Sequence, residues 1–493
     1  MKIRSGLYML FLLLFHRSLA QEYQTEVEYL DRYIGEAMNQ WEVPGLAVCI
    51  IKDGQSLLTR GYGLRKNSDT IGVNLQTLFA ICSTTKAMTA AGMALLIDAG
   101  KARWDDEVIL HMPEFRLHDP YVNQQLRIRD LFTHNAGLGN ADALWYIWQY
   151  SPDEIFSRMQ HLPLSYPMRG GYTYQNIMYA VAGRLIEKLS GMSWQAFMQE
   201  KLFDPLEMSN TFPNRSLSLP YENRSTPHYK INGVVTPIED GSADPIAPAG
   251  AVWSTIEDMQ KWMLFVLDSA RVDGERLLST KNYAEWLKPQ SIVSDEGFYP
   301  TQALTKPKWK TYALGWFQHD YEGRAVSFHT GSLQGTVAMI GLVPEEKLGV
   351  YIFGNLDHAE VRHAIMYKVF DIFGPRDPQR DWSKELLELY RKREASGEMK
   401  GAGENIPPTY DLEDYTGIYE DEFLGKLEVF LRGDSLAVKI GFDVNANLEH
   451  LRHNTFTFKF ENRPWLSNAT IRFEDFGKDN LKLYLFNREF IRI

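Results

Sequence analysis

Phe79–Lys101 reads FAICSTTKAMTAAGMALLIDAGK, and its interpretation decides what kind of domain surrounds it. Ser83 stands ahead of a run of helix formers that Gly100 closes, and Lys86 follows one turn later. Positions i and i+3 share a helix face, so the serine hydroxyl and the lysine amine meet if the helix begins at or just before Ser83. That pairing suits a nucleophile activated by an amine that takes its proton. The lysine must then be neutral, which requires its pKa to fall from about 10.4 through burial or nearby cations. Its neighbours Cys82, Ala87 and Met88 are small or apolar. A serine N-cap before a helix with a surface lysine is spelled the same way, and Ser-x-x-Lys arises by chance about once or twice in a chain of this length. Ser83 heads the only such pair here, so the other parts of a catalytic site decide between the two.

A Ser-Lys hydrolase needs a second proton-handling group, commonly a tyrosine with an asparagine two residues on. Three pairs qualify: Tyr121 with Asn123, Tyr174 with Asn176, and Tyr221 with Asn223. Context selects the second, because RGGYTYQNIMYAVAGRLIEKLSG sets Tyr174 and Asn176 in a glycine-led loop where a helix starts and runs to Gly191; the others sit in polar connections without such support. The third part would be an edge strand carrying a small residue beside the nucleophile. SFHTGSLQGTVAMIGL offers His329-Thr330-Gly331-Ser332 entering a strand. Gly331 would let substrate backbone approach, and the Ser332 amide would pair with the Ser83 amide as an oxyanion hole.

Outward from these motifs, Val27, Leu30, Ile34, Met38 and Trp41 are spaced for an amphipathic helix over 22–41. LAVCIIKDGQSLLTRGYG reads as two strands about the Asp53-Gly54 turn. A mostly helical stretch runs over about 84–268, VAMIGLVPEEKLGVYIFGN forms another strand pair, and a helix follows near 359–373. One sheet built from both ends of residues 21–374, with a helical insert, fits this order. Residues 375–408 are charged, with one short helix, and read as a linker. From 409 to 493 the alternation of Leu427, Val429 and Leu431, of Leu436, Val438 and Ile440, of Phe456, Phe458 and Phe460, and of Leu481, Leu483 and Leu485 predicts a separate all-β barrel or sandwich.

The chain of 493 residues carries 52 Lys and Arg against 63 Asp and Glu, without a basic block to track a phosphate backbone, which argues against nucleic acid as a partner. Residues 1–20 have the layout of a secretory signal: Lys2 and Arg4, the apolar LYMLFLLLF, then Ser18-Leu19-Ala20 as a cleavage site. Its removal takes the formal charge from −11 to −14, through loss of Lys2, Arg4 and Arg17. No second apolar run is long enough for a transmembrane anchor, so the mature protein is expected to be exported, periplasmic or extracellular. A disulfide between Cys49 and Cys82 is permitted outside the cytoplasm, but both have apolar neighbours and read as buried free thiols first. Neither His-Glu-x-x-His nor paired Cys-x-x-Cys is present, and no metal is expected.

Together the segments FAICSTTKAMTAAGMALLIDAGKARWDDEV, IRDLFTHNAGL, YTYQNIMYAVAGRLIEKLSG, LFDPLEMSNT, PAGAVWSTIEDMQKWM and HTGSLQGTVAMIGLVPEEKLGVYIFGN resemble the serine β-lactamase and penicillin-recognising hydrolase superfamily, in its class C β-lactamase-related branch, over about residues 25–374. The tail from YDLEDYTGIYEDEF resembles the β-rich domain often appended to these hydrolases. The resemblance implies an α/β (α+β) fold, with an antiparallel sheet flanked by helices and an all-α subdomain. It implies Ser83 as the acylated nucleophile, Lys86 and Tyr174 as its proton carriers, Asn176 holding Lys86 and substrate, and no cofactor. His329 departs from the family's usual lysine. A histidine with a pKa near 6.5 is mostly neutral at pH 7, so a substrate without a free carboxylate is expected: an ester or amide, as in the esterase and D-aminopeptidase branches. The alternatives are a D-aminopeptidase or D,D-carboxypeptidase acting on cell-wall peptides, and a penicillin-binding-type protein without turnover. His134 in THNAGL reads as a structural histidine ahead of the base of a Ser-His pair, and Trp253, Tyr312 and Trp316 as core first and cleft lining second.

Overall fold

A computed structural model describes residues 23–375, 379–397, 406–441, 444–460, 468–474 and 480–493, with 463, 466 and 477. The expected signal segment 1–20 lies outside the described residues.

Helix α1 (Gln24–Gln40) leads into the hairpin β1 (Gly45–Lys52) and β2 (Gln55–Gly63), turned by Asp53 and Gly54, both at positive φ. The sheet is completed from far along the chain by β3 (Ser291–Ile292), β4 (Lys310–Tyr312), β5 (Phe317–Tyr321), β6 (Arg324–Leu333), β7 (Thr336–Val343) and β8 (Leu348–Gly354), in the order β2-β1-β8-β7-β6-β5-β4-β3 with antiparallel neighbours. Its central strands are apolar on both faces because both faces are covered. Ala47, Cys49 and Ile51 join one core with the inserted helices, while Leu46, Val48 and Ile50 join another with α1 and α5 (Val361–Ile372). Side chains alternate across a strand, so one run feeds two cores.

The insert holds the α2 (Thr85–Asp98) and α3 (Asn176–Ser190) helices, which pack on one another. Gly191, in the left-handed region at φ 75°, ends α3. The expected helical stretch of 84–268 differs in two ways. It contains a hairpin of His228–Ile231 with Val234–Pro237, and its last helix, α4 (Ile256–Leu267), lies against β1 and β8 and so belongs to the sheet layer.

The stretch read as a linker carries the 16-residue helix α6 (Trp382–Gly397), docked on the sheet domain. Trp382 and Leu386 are fully buried, and the Trp382 ring stacks on Tyr367 at 4.7 Å while its indole N–H donates to Asp371 at 2.7 Å. The charges that suggested a linker belong to the solvent side of this helix.

The C-terminal unit is a nearly closed antiparallel barrel of nine strands: β9 (Gly417–Asp421), β10 (Gly425–Arg432), β11 (Ser435–Ile440), β12 (Val444–Asn447), β13 (Glu449–Arg452), β14 (Thr455–Phe458), β15 (Ala469–Glu474), β16 (Lys482–Leu485) and β17 (Arg488–Arg492). Among the described residues, consecutive strands pair except β12 with β13, and β17 returns to β9, leaving the ring open between β12 and β13. Side chains fill it, with Tyr415 against Phe473 at 4.9 Å. The residues predicted from alternation point inward except Leu431, which is exposed beside the Gly433 turn.

Candidate active site

The short strand Phe79–Ala80, paired with Trp253–Ser254, delivers the chain to a sharp turn. Cys82 takes a left-handed φ of 50°, and the 3₁₀ turn Cys82–Thr84 passes into α2. A non-glycine residue in that region is strained, and such strain concentrates at functional turns. Thr84 holds the turn, donating to the Ile81 carbonyl at 2.8 Å and meeting the Tyr351 hydroxyl at 2.8 Å. Ser83 makes no side-chain cap, so its hydroxyl is left for the cleft that it lines.

Lys86, wholly buried, reaches Ser83 Oγ at 3.2 Å, Asn176 Oδ1 at 2.7 Å and the Ala249 carbonyl at 2.8 Å. Its amine also lies over the rings of Tyr174 at 4.7 Å and Tyr179 at 5.3 Å. Burial draws its pKa down to about 7, with Asp142 and then Cys82 opposing the shift. The two carbonyl oxygens can only accept, so they hold the two hydrogens of a neutral amine and leave its lone pair to the Ser83 hydroxyl.

Tyr174 precedes α3 and lines the cleft together with Ser83; burial raises its phenol well above the usual value and keeps it protonated. His134 packs against the Tyr174 ring at 4.4 Å. Its Nδ1 accepts the Gln175 N–H at 3.0 Å and its carbonyl accepts from Thr173 at 2.9 Å, so the THNAGL loop braces the tyrosine segment.

His329 requires a correction. It is fully buried and absent from the cleft lining. Its Nδ1 donates to the Thr330 carbonyl at 2.6 Å, which leaves Nε2 to accept from the Tyr312 hydroxyl at 2.9 Å. Burial takes its pKa to about 3, so it is a neutral group behind the site. Nor is β6 an edge strand of the sheet. Its edge is open only past Phe328, where pairing with the five-residue β5 stops.

The turn that carries Ser83 fills that opening. A Cβ on Gly331 would come within 2.5 Å of the Ile81 carbonyl and 3.0 Å of the Ser83 nitrogen, so only glycine lets strand and turn meet. The two-residue Gln334-Gly335 turn commits Leu333 and Gly331 to hydrogen bonds with β7. Alternation then directs the Ser332 amide to the open edge, toward the Ser83 side. Trp253, Tyr312 and Trp316 are buried core, as read from the sequence.

The cleft has a volume of about 510 Å³. Trp145, Tyr146, Phe298 and Tyr299 contribute aromatic walls, and Asp357, Glu360 and Arg362 a charged end. Arg362 is buried and already engaged by Glu360 at 2.9 Å, Ser332 Oγ at 3.0 Å and the Gly331 carbonyl at 2.5 Å. Sequence reasoning missed Arg362, Ala249 and Asp142. Asp142 takes both its oxygens to Asn176 Nδ2, at 2.9 and 3.0 Å. Ala249 lay within a segment already singled out, PAGAVWSTIEDMQKWM, but nothing in the sequence marked Asp142 or Arg362.

Residues 30–369 match the family described as Beta-lactamase, and 402–486 match a domain of unknown function, DUF3471. The unguisins hydrolase ungD of Aspergillus violaceofuscus is 27% identical over 436 residues, covering 81% of this chain and 76% of that protein. Protein flp of Staphylococcus aureus strain N315 is 22% identical, over 67% of this chain and 63% of its own length. Among solved structures, the octameric penicillin-binding protein homologue from Pyrococcus abyssi shares the fold with a TM-score of 0.63 at 20% identity, covering 94% of this chain and 100% of that one. SurE, solved with D-Leu, gives 0.54 at 17%, covering 95% and 100%.

Proposed function

We propose, from the premise that this chain belongs to the β-lactamase family of serine hydrolases, that it is an exported enzyme transferring the acyl group of an ester or amide first to Ser83 and then to water. The observation that carries this is the wholly buried Lys86 amine 3.2 Å from the Ser83 hydroxyl, with a pKa near neutrality. As Ser83 Oγ bonds the carbonyl carbon, its proton passes to neutral Lys86. The oxyanion faces the Ser83 and Ser332 amides. Collapse breaks the bond to the leaving group, which receives the proton by way of Lys86 and Tyr174. Water then attacks the acyl-enzyme, gives up its proton along the same groups, and releases acid and free serine. Asn176 holds Lys86 and offers the substrate amide a partner.

The substrate lacks a free carboxylate, because His329 is neutral and the Arg362 guanidinium is paired with Glu360. The aromatic walls suit an apolar acyl or leaving group. A second substrate class, an amide built on a D-amino acid with a free ammonium, is favoured by the carboxylate of Asp142, since the other two cleft acids, Asp357 and Glu360, already face His358 and Arg362; SurE, of the same fold, was solved with D-Leu.

Incubation with a fluorophosphonate, followed by intact-mass spectrometry and peptide mapping, tests the mechanism. The expected result is a single adduct on Ser83, absent in Ser83→Ala and in Lys86→Ala. Ser83→Ala should abolish hydrolysis of neutral esters with an almost unchanged thermal midpoint, since its hydroxyl caps no helix. Unaltered turnover in that variant would remove Ser83 from the mechanism.

A further inference from the structure

Lys86 works as a base only if Asn176 turns its oxygen, and not its amide nitrogen, toward the amine. A flipped amide would donate to the lysine lone pair and withdraw it from Ser83. Asn176 opens α3, where the backbone alone leaves either orientation available. Asp142 removes that freedom. A carboxylate only accepts, so the atom facing its two oxygens at 2.9 and 3.0 Å must be Nδ2, and Oδ1 is then directed to Lys86 at 2.7 Å. Asp142 is itself held: Oδ1 accepts from the Trp145 indole at 3.0 Å and Oδ2 from Asn140 Nδ2 at 3.2 Å.

We infer that Asp142 is a positioning residue that locks the Asn176 amide, and through it dictates that the Lys86 lone pair faces the nucleophile. This rests on the reading of Ser83 as the nucleophile and Lys86 as its base.

The surroundings give the inference a second readout. The titratable groups around Lys86 are Cys82 on its own turn, Tyr174 and Tyr179 on the α3 segment, His134 on the bracing loop, His329 on β6, and Asp142. Burial holds the Cys82 thiol up at about 12 and both tyrosines above their usual value, with His329 down at about 3 and His134 well below its usual value. All five are therefore neutral through the neutral range, which leaves Asp142 as the charged neighbour acting on the lysine.

The experiment follows the second-order rate of Ser83 phosphonylation by a fluorophosphonate from pH 5 to 10. The Oγ–P bond forms, the P–F bond breaks, fluoride leaves and the serine proton passes to Lys86. For Asp142→Asn the high-pH plateau should fall at least about tenfold, and the acid limb should move to lower pH by about one unit, because a carboxylate that favoured the protonated amine is gone. In an Asn176→Ala background the same substitution should leave the plateau unchanged while still moving the limb. Asp142→Glu keeps the charge but displaces it, so the plateau should fall with the limb in place; this variant carries the test if Asp142→Asn does not fold. A wild-type plateau in both variants, or a lower plateau with an unmoved limb in Asp142→Asn, overturns the inference. Absence of any Ser83 adduct in the folded wild-type protein defeats instead the reading on which it rests.

Discussion

At the scale of single residues, Lys86 concentrates the conflict between stability and function. Its folded pKa of about 7 lies below the unfolded value near 10.5, so between these values the unfolded chain binds more protons and stability rises with pH. Below about pH 7 the full penalty of burying an ammonium is present; as pH climbs toward 10 it is relieved. Relative to Lys86→Met, which carries no such group, the wild type should gain stability over this window at up to about 1.4 kcal/mol per pH unit. Urea denaturation of both proteins at pH 6, 8 and 9.5 measures this, and parallel pH profiles would mean that the lysine is not buried as an ammonium below pH 7. The same titration should place the acid limb of wild-type activity near pH 7. Part of this was legible in sequence, since Cys82, Ala87 and Met88 foretold an apolar setting. Asp142 was not, because an aspartate 34 positions before Asn176 carries no spacing signal.

At the scale of elements, the meeting of β6 with the turn that carries Ser83 is governed by Gly331. Gly331→Ala would set a methyl group against the Ile81 carbonyl and the Ser83 nitrogen. Overpacking of this kind costs about 1–3 kcal/mol, and displacing Ser83 by about 1 Å should reduce its phosphonylation by about 100-fold. A variant labelled at the wild-type rate would show that strand and turn separate without consequence. The strand itself was visible in sequence, but the direction of His329 was not. Alternation says that His329 and Gly331 share a face; which face is covered depends on Tyr312 and the insert. Helix α6 shows the opposite failure. Trp382, Leu386, Leu389 and Tyr390 form a helical stripe, yet the surrounding charges hid it in composition, and only contact with α5 reveals it as core.

At the scale of the whole molecule, the barrel and the hydrolase domain share one hydrophobic core. Trp148, on the segment that begins at Asp142, enters the barrel, stacked on Phe490 at 6.5 Å and edge-on to Phe486 at 6.2 Å. Nearby, the Tyr150 hydroxyl donates to the Leu424 carbonyl at 2.9 Å and Arg158 to the Phe423 carbonyl at 3.1 Å. The barrel thus grips the same short segment whose Trp145 and Tyr146 wall the cleft. Trp148→Ala should cost about 3–5 kcal/mol and raise KM for a bulky aryl ester more than it lowers kcat. Denaturant melts with steady-state kinetics measure both, and an unchanged KM would uncouple the barrel from the cleft wall.

Local chemistry, written in neighbouring residues, determined the hairpin at Asp53-Gly54, the helix behind Ser83, the helix that starts just after Tyr174 and the alternation of the barrel strands, because each depends on spacing within a few positions. Long-range placement was decided by tertiary structure alone: His329 turned away from the cleft, Arg362 neutralised by Glu360, Asp142 locking Asn176, and Trp148 joining the barrel to the cleft wall. These depend on which surfaces meet across scores or hundreds of residues, and close packing and hydrogen-bond satisfaction select them only once the chain is folded.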